Sequence, residues 1–403
     1  MIFMRILSIE TSCDETAISI LKTSGTSLKS ANFEILANKL YSQIEIHKEF
    51  GGVYPMVAKR EHGRNLVPLL MKALKEANYK IINNKSNIEL PKKTKLALNK
   101  ILEREPELLE MFLKELLTIL SIRGREKIDA IAVTYGPGLE PALWVGVNFA
   151  KALSLIWGSP IIPVNHMLGH FYSVLMPVNK KKEFKIKEFK HPALALLVSG
   201  GHTELILSNK IMQFKKIGAT RDDACGEAFD KVARMLGLPY PGGPEVSKLA
   251  TSYRSNSNSE SSNKIKFPRP MLNSPDYDFS FSGLKTSVLY TIRDLGKLTE
   301  DLKKEVAYEF ENAVVEVLVK KTLHAVQKYK IKTLIVAGGV ASNTHLKKVL
   351  LEDAKMLGLD IRFPTRDLAT DNSIMIALAG YFTMLKKKPS QNKKLRPNGN
   401  LEL

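Results

Sequence analysis

Short apolar runs separated by polar, glycine-bearing turns recur along the chain, with helical stripes between them. Residues 5–21, RILSIETSCDETAISIL, read as an apolar strand, a polar turn and a second strand. Residues 193–208, ALALLVSGGHTELILS, repeat that plan around a Gly-Gly turn. Two such hairpins half a chain apart predict a duplicated lobe, alike in plan rather than in residues. TLIVAGGVASNTHLKKVL, at 333–350, predicts a buried strand running through glycines into a helix. DNSIMIALAGYFTML, at 371–385, predicts an apolar helix that opens with Asp371 and Asn372. Strands alternating with helices indicate an α/β class, its sheets covered on both faces. At 403 residues there is room for two lobes around a central cleft, drawn here as 1–178 and 179–403.

Three stretches read as additions. Residues 80–125 hold KKTKLALNKIL and, after Glu105-Pro106, ELLEMFLKELLTIL, which predict a helical insert of two amphipathic helices with Pro106 opening the second. Residues 251–264, TSYRSNSNSESSNK, are too polar to pack and predict a mobile loop. Basic runs at 179–190 and in the tail at 385–403 either meet phosphates or face water.

Composition narrows the class. Hydrophobic residues at 44% and charged residues at 25% are ordinary globular usage, and no apolar run approaches the ~18 residues of a membrane helix, so a membrane role is not expected. The first twenty residues lack the pattern of a secretory or transit segment, and two cysteines are too few for a disulfide framework, so a reducing cytoplasm is the expected compartment. A formal charge of +19 favours polyanionic partners such as nucleic acid.

Candidate chemistry gathers at a few motifs. VNHMLGH sets His166 and His170 four apart, on one face of a helix, just after the strand-like PIIPVN. That spacing suits a metal but by itself more often marks two core residues, and Met167 occupies the place of a zinc peptidase's general-base glutamate. Four glycine-rich turns, YGPG, SGGHTE, YPGGPE and AGGVASN, are either plain turns or places where backbone N–H groups approach an anionic ligand. In GEAFDKVARMLG, Asp230 and Lys231 are expected near the start of an amphipathic helix, either meeting a ribose or forming a surface charge pair.

The motifs SIETSCDETA, HKEFGGVYPMVAKREH, VTYGPGLEPALWVG, VNHMLGH, LLVSGGHTEL, DDACGEAFDKVARMLGLPYPGGP, FPRPML, DFSFSGLKT, AGGVASN and TDNSIMIALAG occur in one order. Together they resemble the tRNA N6-adenosine threonylcarbamoyltransferase family, bacterial TsaD type, over nearly the whole chain outside the insert, the polar loop and the tail. The resemblance implies two ribonuclease-H-like lobes of the actin, heat-shock chaperone and sugar kinase (ASKHA) superfamily. It implies transfer of a threonylcarbamoyl group from threonylcarbamoyl-adenylate to the N6 amine of the adenosine 3′ of the anticodon, in tRNAs reading codons that begin with A. Carried over by position, it makes His166, His170 and Asp371 ligands of one divalent ion, iron(II) or zinc, and puts Leu197, Val198, Ser199, Gly200, Gly201, Asp230, Gly243 and Asn343 against the adenylate. Glu10 and Asp14, in the first-lobe turn, are then expected to position the reacting groups. Implied partners are the tRNA anticodon arm, a pseudo-enzyme paralogue (TsaB-like) and a small ATPase (TsaE-like), with a homodimer as the alternative.

Two positions depart from the family pattern: Met56 and Leu168 stand where glutamates are usual. Other readings weighed are an ATP-dependent sugar or acyl kinase of the same superfamily, a metallopeptidase, and a non-catalytic nucleic-acid-binding subunit. The histidine pair with Asp371 speaks against the first and last, and the missing HExxH glutamate against the second.

Overall fold

The structure, a computed structural model, describes residues 3–25, 30–81, 90–122, 127–176, 182–186, 188–256, 264–386 and 394–403. It forms two compact units: Met1–Gln43, Val53–Glu188 and Asp371–Leu403 in the first, Ile44–Gly52 and Phe189–Thr370 in the second.

In the first unit, β1 (Phe3–Glu10), β2 (Glu15–Ser24) and β3 (Asn32–Ser42) form an antiparallel meander. β4 (Ala130–Gly136) and β5 (Ile161–Asn165) extend it as parallel strands on the β1 side, while the short β6 (Glu183–Lys185) closes the β3 edge. In the second unit β7 (Ala193–Val198), β8 (Thr203–Lys210) and β9 (Gln213–Ala219) form the meander, with β10 (Thr333–Ala337) and β11 (Asp360–Arg362) parallel beside β7. The strand orders are β5-β4-β1-β2-β3-β6 and β11-β10-β7-β8-β9, so apart from β6 the two sheets share one connection scheme. The duplication expected from the two hairpins is therefore one of topology.

The inner parallel strands β4 and β10 are buried on both faces, which is why they read as unbroken apolar runs. On one face of the first sheet Leu7, Ile9, Ile131 and Val133 pack with the helices Pro55–Glu76 and Glu140–Trp157. On the other face lies the helix Ser373–Lys386, so close that a Cβ on Gly380 would come within 2.8 Å of Ala132. This contact corrects the expected boundary: the helix continues the second unit in sequence, but its apolar surface belongs to the first sheet. Ile44–Gly52 makes the opposite exchange, and the Gly51 carbonyl accepts a hydrogen bond from Arg234 of the second unit.

The extra segment at 80–125 is part of the first core. Its helices Lys92–Ile101, Pro106–Lys114 and Leu116–Ser121 bury Leu98, Leu108, Phe112 and Ile119 completely, and Phe112 meets Phe149 edge-on at 6.1 Å. Pro106 opens its helix as expected, because that position needs no N–H. Residues 82–89 and 123–126 lie outside the described residues.

Residues 251–256, expected to open a mobile loop, are helical. The helix Gly242–Asn256 runs on through them because Arg254 packs on Tyr308 and bonds Glu311 and Asn312, each at 3.0 Å. The rest of that loop, 257–263, lies outside the described residues. Of the basic runs, 183–185 is an edge strand whose Phe184 stacks on Phe33 at 5.3 Å. In the tail, 394–403 returns to the first unit and buries Leu395, while 179–181, 187 and 387–393 lie outside the described residues. Among the described residues no helix is long and apolar enough to cross a membrane.

Candidate metal centre and glycine turn

The end of β5 runs directly into the helix His166–Ser173. Asn165 caps it, its side-chain oxygen accepting from the Met167 and Leu168 N–H groups at 2.8 and 3.4 Å, which fixes where the first turn points. His166 and His170 then share a face, their rings 4.7 Å apart and near perpendicular. Asp371, just ahead of the helix Ser373–Lys386, brings Oδ1 to 3.4 Å from His166 Nε2 and 3.1 Å from His170 Nε2. Asn372 caps that helix by accepting from Met375 N at 3.0 Å, leaving the Asp371 carboxylate for the histidines. The three ligand atoms lie within 4.8 Å of one another.

This donor set fits a cation. His170 is fully buried, yet among the described residues its Nδ1 has no hydrogen-bond partner and its Nε2 faces only the shared Asp371 oxygen at 3.1 Å. A buried imidazole left so costs free energy unless something else takes its lone pair. Burial would raise the Asp371 carboxyl, but His166 and His170 outweigh it and hold it well below the usual range. Two imidazoles and a carboxylate suit iron or zinc and leave open positions.

Glu10 stands behind the first ligand. Its Oε2 lies 3.1 Å from His166 Nδ1 and accepts from Thr134 Oγ1 at 2.7 Å; its Oε1 accepts from Ser12 N at 2.6 Å. Ser12 Oγ is 3.2 Å from the same Nδ1. A carboxylate holding the far nitrogen of a ligand histidine orients the ring and strengthens it as a donor. Sequence reading expects Glu10 to position the reacting groups; in the structure it is fully buried and bonds the ligand histidine. Burial would lower the His166 pKa, but Asp371 and Glu10 raise it well above the ordinary value.

Asp14 lies in the same turn, nearly buried. The turn is clamped from behind by His62, which bonds the Cys13 carbonyl at 3.0 Å and Thr16 Oγ1 at 2.8 Å. Glu15 was missed by the sequence reading. Burial, then Asp14 and Asp371, push its carboxyl well above the usual range, and burial, Asp14 and Asp371 likewise raise the Cys13 thiol. Glu10, Asp14, Glu15 and Asp371 crowd carboxyls around the two histidines, and that crowding, which raises Glu15, is what a bound cation would relieve. The run ETSCDE holds most of this cluster, and its density of oxygen groups in a strand-to-strand turn was the available signal. Met56 is exposed and Leu168 half-buried, and neither offers a ligand atom.

The second unit carries the glycine turn. Ser199-Gly200-Gly201 links β7 to β8, and a Cβ on Gly200 or Gly201 would meet nothing within 4 Å. These glycines therefore leave room rather than fill it. The helix Cys225–Met235 begins against the turn: Gly226 N donates to Ser199 O at 3.1 Å, and a Cβ on Gly226 would approach that oxygen to 2.7 Å. A helix N-terminus beside open glycines is an anion site in kind. Leu197 and Val198 are fully buried, so only their main chain is available to a ligand.

The other expected contact residues are more engaged than sequence suggests. Asp230 lies in the second turn of its helix, rather than at its start, and accepts from Gly242 N at 2.7 Å. Lys231 pairs with Asp223 and Glu227. A Cβ on Gly243 would meet only Phe229, at 4.0 Å. Asn343 caps the helix Thr344–Met356 through Oδ1, while its Nδ2 donates to Ser247 and Glu311 at 2.8 Å each.

The chain matches the profile of tRNA N6-adenosine threonylcarbamoyltransferase over residues 34–84 and 106–378, and the unmatched stretch between falls in the extra helices. A tRNA N6-adenosine threonylcarbamoyltransferase of Thermosipho africanus is 40% identical over 99% of this chain and 100% of its own. One from Staphylococcus epidermidis is 40% identical over 94% of this chain and 91% of its own. The solved structure of full-length HypF in its phosphate- and nucleotide-bound form superposes with a TM-score of 0.52 at 12% identity, over 96% of this chain and 56% of that one, a likeness of fold alone. The duplicated β5-β4-β1-β2-β3 sheets are the ASKHA plan. Relatives matched end to end and a profile covering most of its length show that this chain belongs to the tRNA N6-adenosine threonylcarbamoyltransferase family.

Proposed function

We propose that this protein transfers the threonylcarbamoyl group of threonylcarbamoyl-adenylate to the N6 amine of the adenosine 3′ of the anticodon, in tRNAs that read codons beginning with A. The observation that carries the reading is the triad His166, His170 and Asp371, backed by Glu10, in a chain of this family.

The adenylate is a mixed anhydride and already activated, so the protein's part is orientation and charge stabilisation rather than nucleophilic attack. His166, His170 and Asp371 would hold iron(II) or zinc, which would supply Lewis-acid chemistry there. Glu10 keeps the His166 ring turned with Nε2 inward. Asp14 positions the reacting groups. Backbone N–H groups of the Ser199–Gly201 turn and the start of the helix Cys225–Met235 take the phosphate of the departing AMP. Asp230 and Asn343 border the ribose and base through polar atoms held in place by Gly242, Ser247 and Glu311. The proton of the weakly basic amine leaves as the new bond forms, and no covalent enzyme intermediate is required.

The proposed compartment is the cytoplasm, where two free cysteines, Cys13 and Cys225, stay reduced. The proposed partners are the tRNA anticodon arm, a pseudo-enzyme paralogue and a small ATPase. The reading is tested by chromatography of AMP released from threonylcarbamoyl-adenylate. Release that requires both protein and unmodified tRNA supports transfer; ADP formed from ATP and a sugar, with no tRNA-dependent AMP, supports the kinase instead.

A further inference from the structure

A cavity of about 550 Å3 lies beside the helix Glu140–Trp157, lined by Trp144, Lys151, Lys394, Leu395 and Arg396. Its second wall is built by the returning segment 394–403. Asn398 N donates to Tyr135 O at 2.8 Å, Gly138 N donates to Gly399 O at 3.1 Å, and Asn165 Nδ2 donates to Glu402 O at 3.3 Å. The close fit needs glycine at 136: its φ is 155°, and a Cβ there would run into the Asn398 carbonyl. Leu395 buries its side chain in the first core, which fixes the exposed Lys394 and Arg396 that flank it.

Three cations thus face one space. Among the described residues none of Lys151, Lys394 and Arg396 has a carboxylate at ion-pair distance; the Lys151 ammonium instead sits 5.5 Å over the Trp144 ring. Burial and the adjacent Arg396, partly offset by Glu105, hold the Lys151 pKa below its ordinary value, so like charges crowd this space, while Trp144 Nε1 on its wall donates to Glu140 at 3.4 Å. The cavity shares its scaffold with the metal centre. Asn165, bonded to Glu402, caps the helix that bears both histidines, and Leu139, at the start of the helix that bears Trp144, donates to Ser12 O at 2.8 Å.

We propose that this cavity binds a backbone phosphate of the substrate tRNA, held by Lys151, Lys394 and Arg396 against the Trp144 wall. The inference rests on the transfer to tRNA proposed above. An RNA strand carries the phosphates that a surface with a formal +19 attracts, and paired or clustered cations beside an aromatic wall are what a single-strand backbone meets.

The test measures binding of the unmodified tRNA across a salt series by wild type, by Lys151→Gln/Arg396→Gln, and by Lys93→Gln/Lys100→Gln, which removes the same charge from an exposed helix of the same unit. With ~0.7 counterions released per phosphate contact on single strands, loss of the one phosphate contact is expected to lower the log–log salt slope of the cavity variant by roughly 0.7, with several-fold weaker binding, and that of the control variant not at all. A second readout is local. In Trp157→Phe the only remaining tryptophan is Trp144, and its emission is expected to change with tRNA but not with AMP or inorganic phosphate. An unchanged slope and affinity in the cavity variant, while wild type binds and modifies the same tRNA, overturn the site and leave the transfer standing. An equal emission response to AMP makes the cavity a mononucleotide site and overturns it too. Wild type that neither binds nor modifies tRNA overturns both.

Discussion

Replacing Glu10 by glutamine separates two roles for a carboxylate that sequence alone would put among the reacting groups. The structure gives Glu10 three partners, Ser12 N at 2.6 Å, Thr134 Oγ1 at 2.7 Å and His166 Nδ1 at 3.1 Å. A glutamine keeps the volume, but one acceptor oxygen becomes an NH2 donor. With Nδ1–H donating to Glu10, the His166 Nε2 lone pair faces Asp371 and an ion; opposite an amide donor the ring is driven to the tautomer with its proton on Nε2, which cannot ligate. Losing such an outer partner typically lowers metal affinity about 10- to 100-fold, which is ~1.4–2.8 kcal/mol. Leaving one buried donor unsatisfied adds roughly 1–3 kcal/mol of lost stability. Chelator competition with zinc measures the first and calorimetric unfolding of the metal-free protein the second. The expected result for Glu10→Gln is metal affinity down by one to two orders of magnitude, with transfer restored at saturating zinc. Wild-type metal affinity together with lost transfer at every zinc concentration would refute the reasoning and return Glu10 to the reacting groups.

Phe112→Ala, which empties a fully buried site against Phe149, is expected to cost about 3–5 kcal/mol in denaturant unfolding. A loss below about 1 kcal/mol would mean that the extra helices are an appendage and not core. In the second unit, Asp222 accepts from the Ser280 and Ser282 hydroxyls at 2.6 Å and from Phe281 N at 2.8 Å, and Asp223 pairs with Lys285 at 2.6 Å. Burial would raise both carboxyls, but these partners outweigh it and lower them. A carboxyl depressed in the folded state stabilises above its unfolded value, near ~3.9, and that contribution is lost as the pH falls through the folded value. Wild type is therefore expected to lose thermal stability on acidification below about pH 4 more steeply than Asp222→Asn/Asp223→Asn, and parallel acid limbs would exclude the two carboxyls as the cause.

Local pattern made the strands and much of the site legible, and tertiary contact decided the rest. The two hairpins announce themselves because an apolar run broken by polar or glycine turns has few other folds. The helix that begins at Ser373 reads as buried because it is apolar nearly all round, but that same lack of a polar face hides which sheet it covers. Arg254 looks like part of a polar loop until Tyr308 and Glu311 are brought beside it from a helix fifty residues on. At the site, the spacing of His166 and His170 is a local fact, and Asp371, two hundred residues away, enters from the sequence only through the family resemblance. Glu10 and Asn343 are polar groups in turns whose protein partners the sequence does not show: Glu10 stands behind a histidine, and Asn343 caps a helix.

The most direct test is mass spectrometry of nucleosides from unmodified tRNA incubated with threonylcarbamoyl-adenylate and zinc- or iron-loaded protein, wild type beside Asp371→Ala. The account predicts N6-threonylcarbamoyladenosine with wild type and its loss with the variant, at unchanged tRNA binding. Equal product from both would contradict the role given to the His166, His170 and Asp371 centre, and product from neither, with the pseudo-enzyme paralogue and the small ATPase supplied, would contradict the transfer itself.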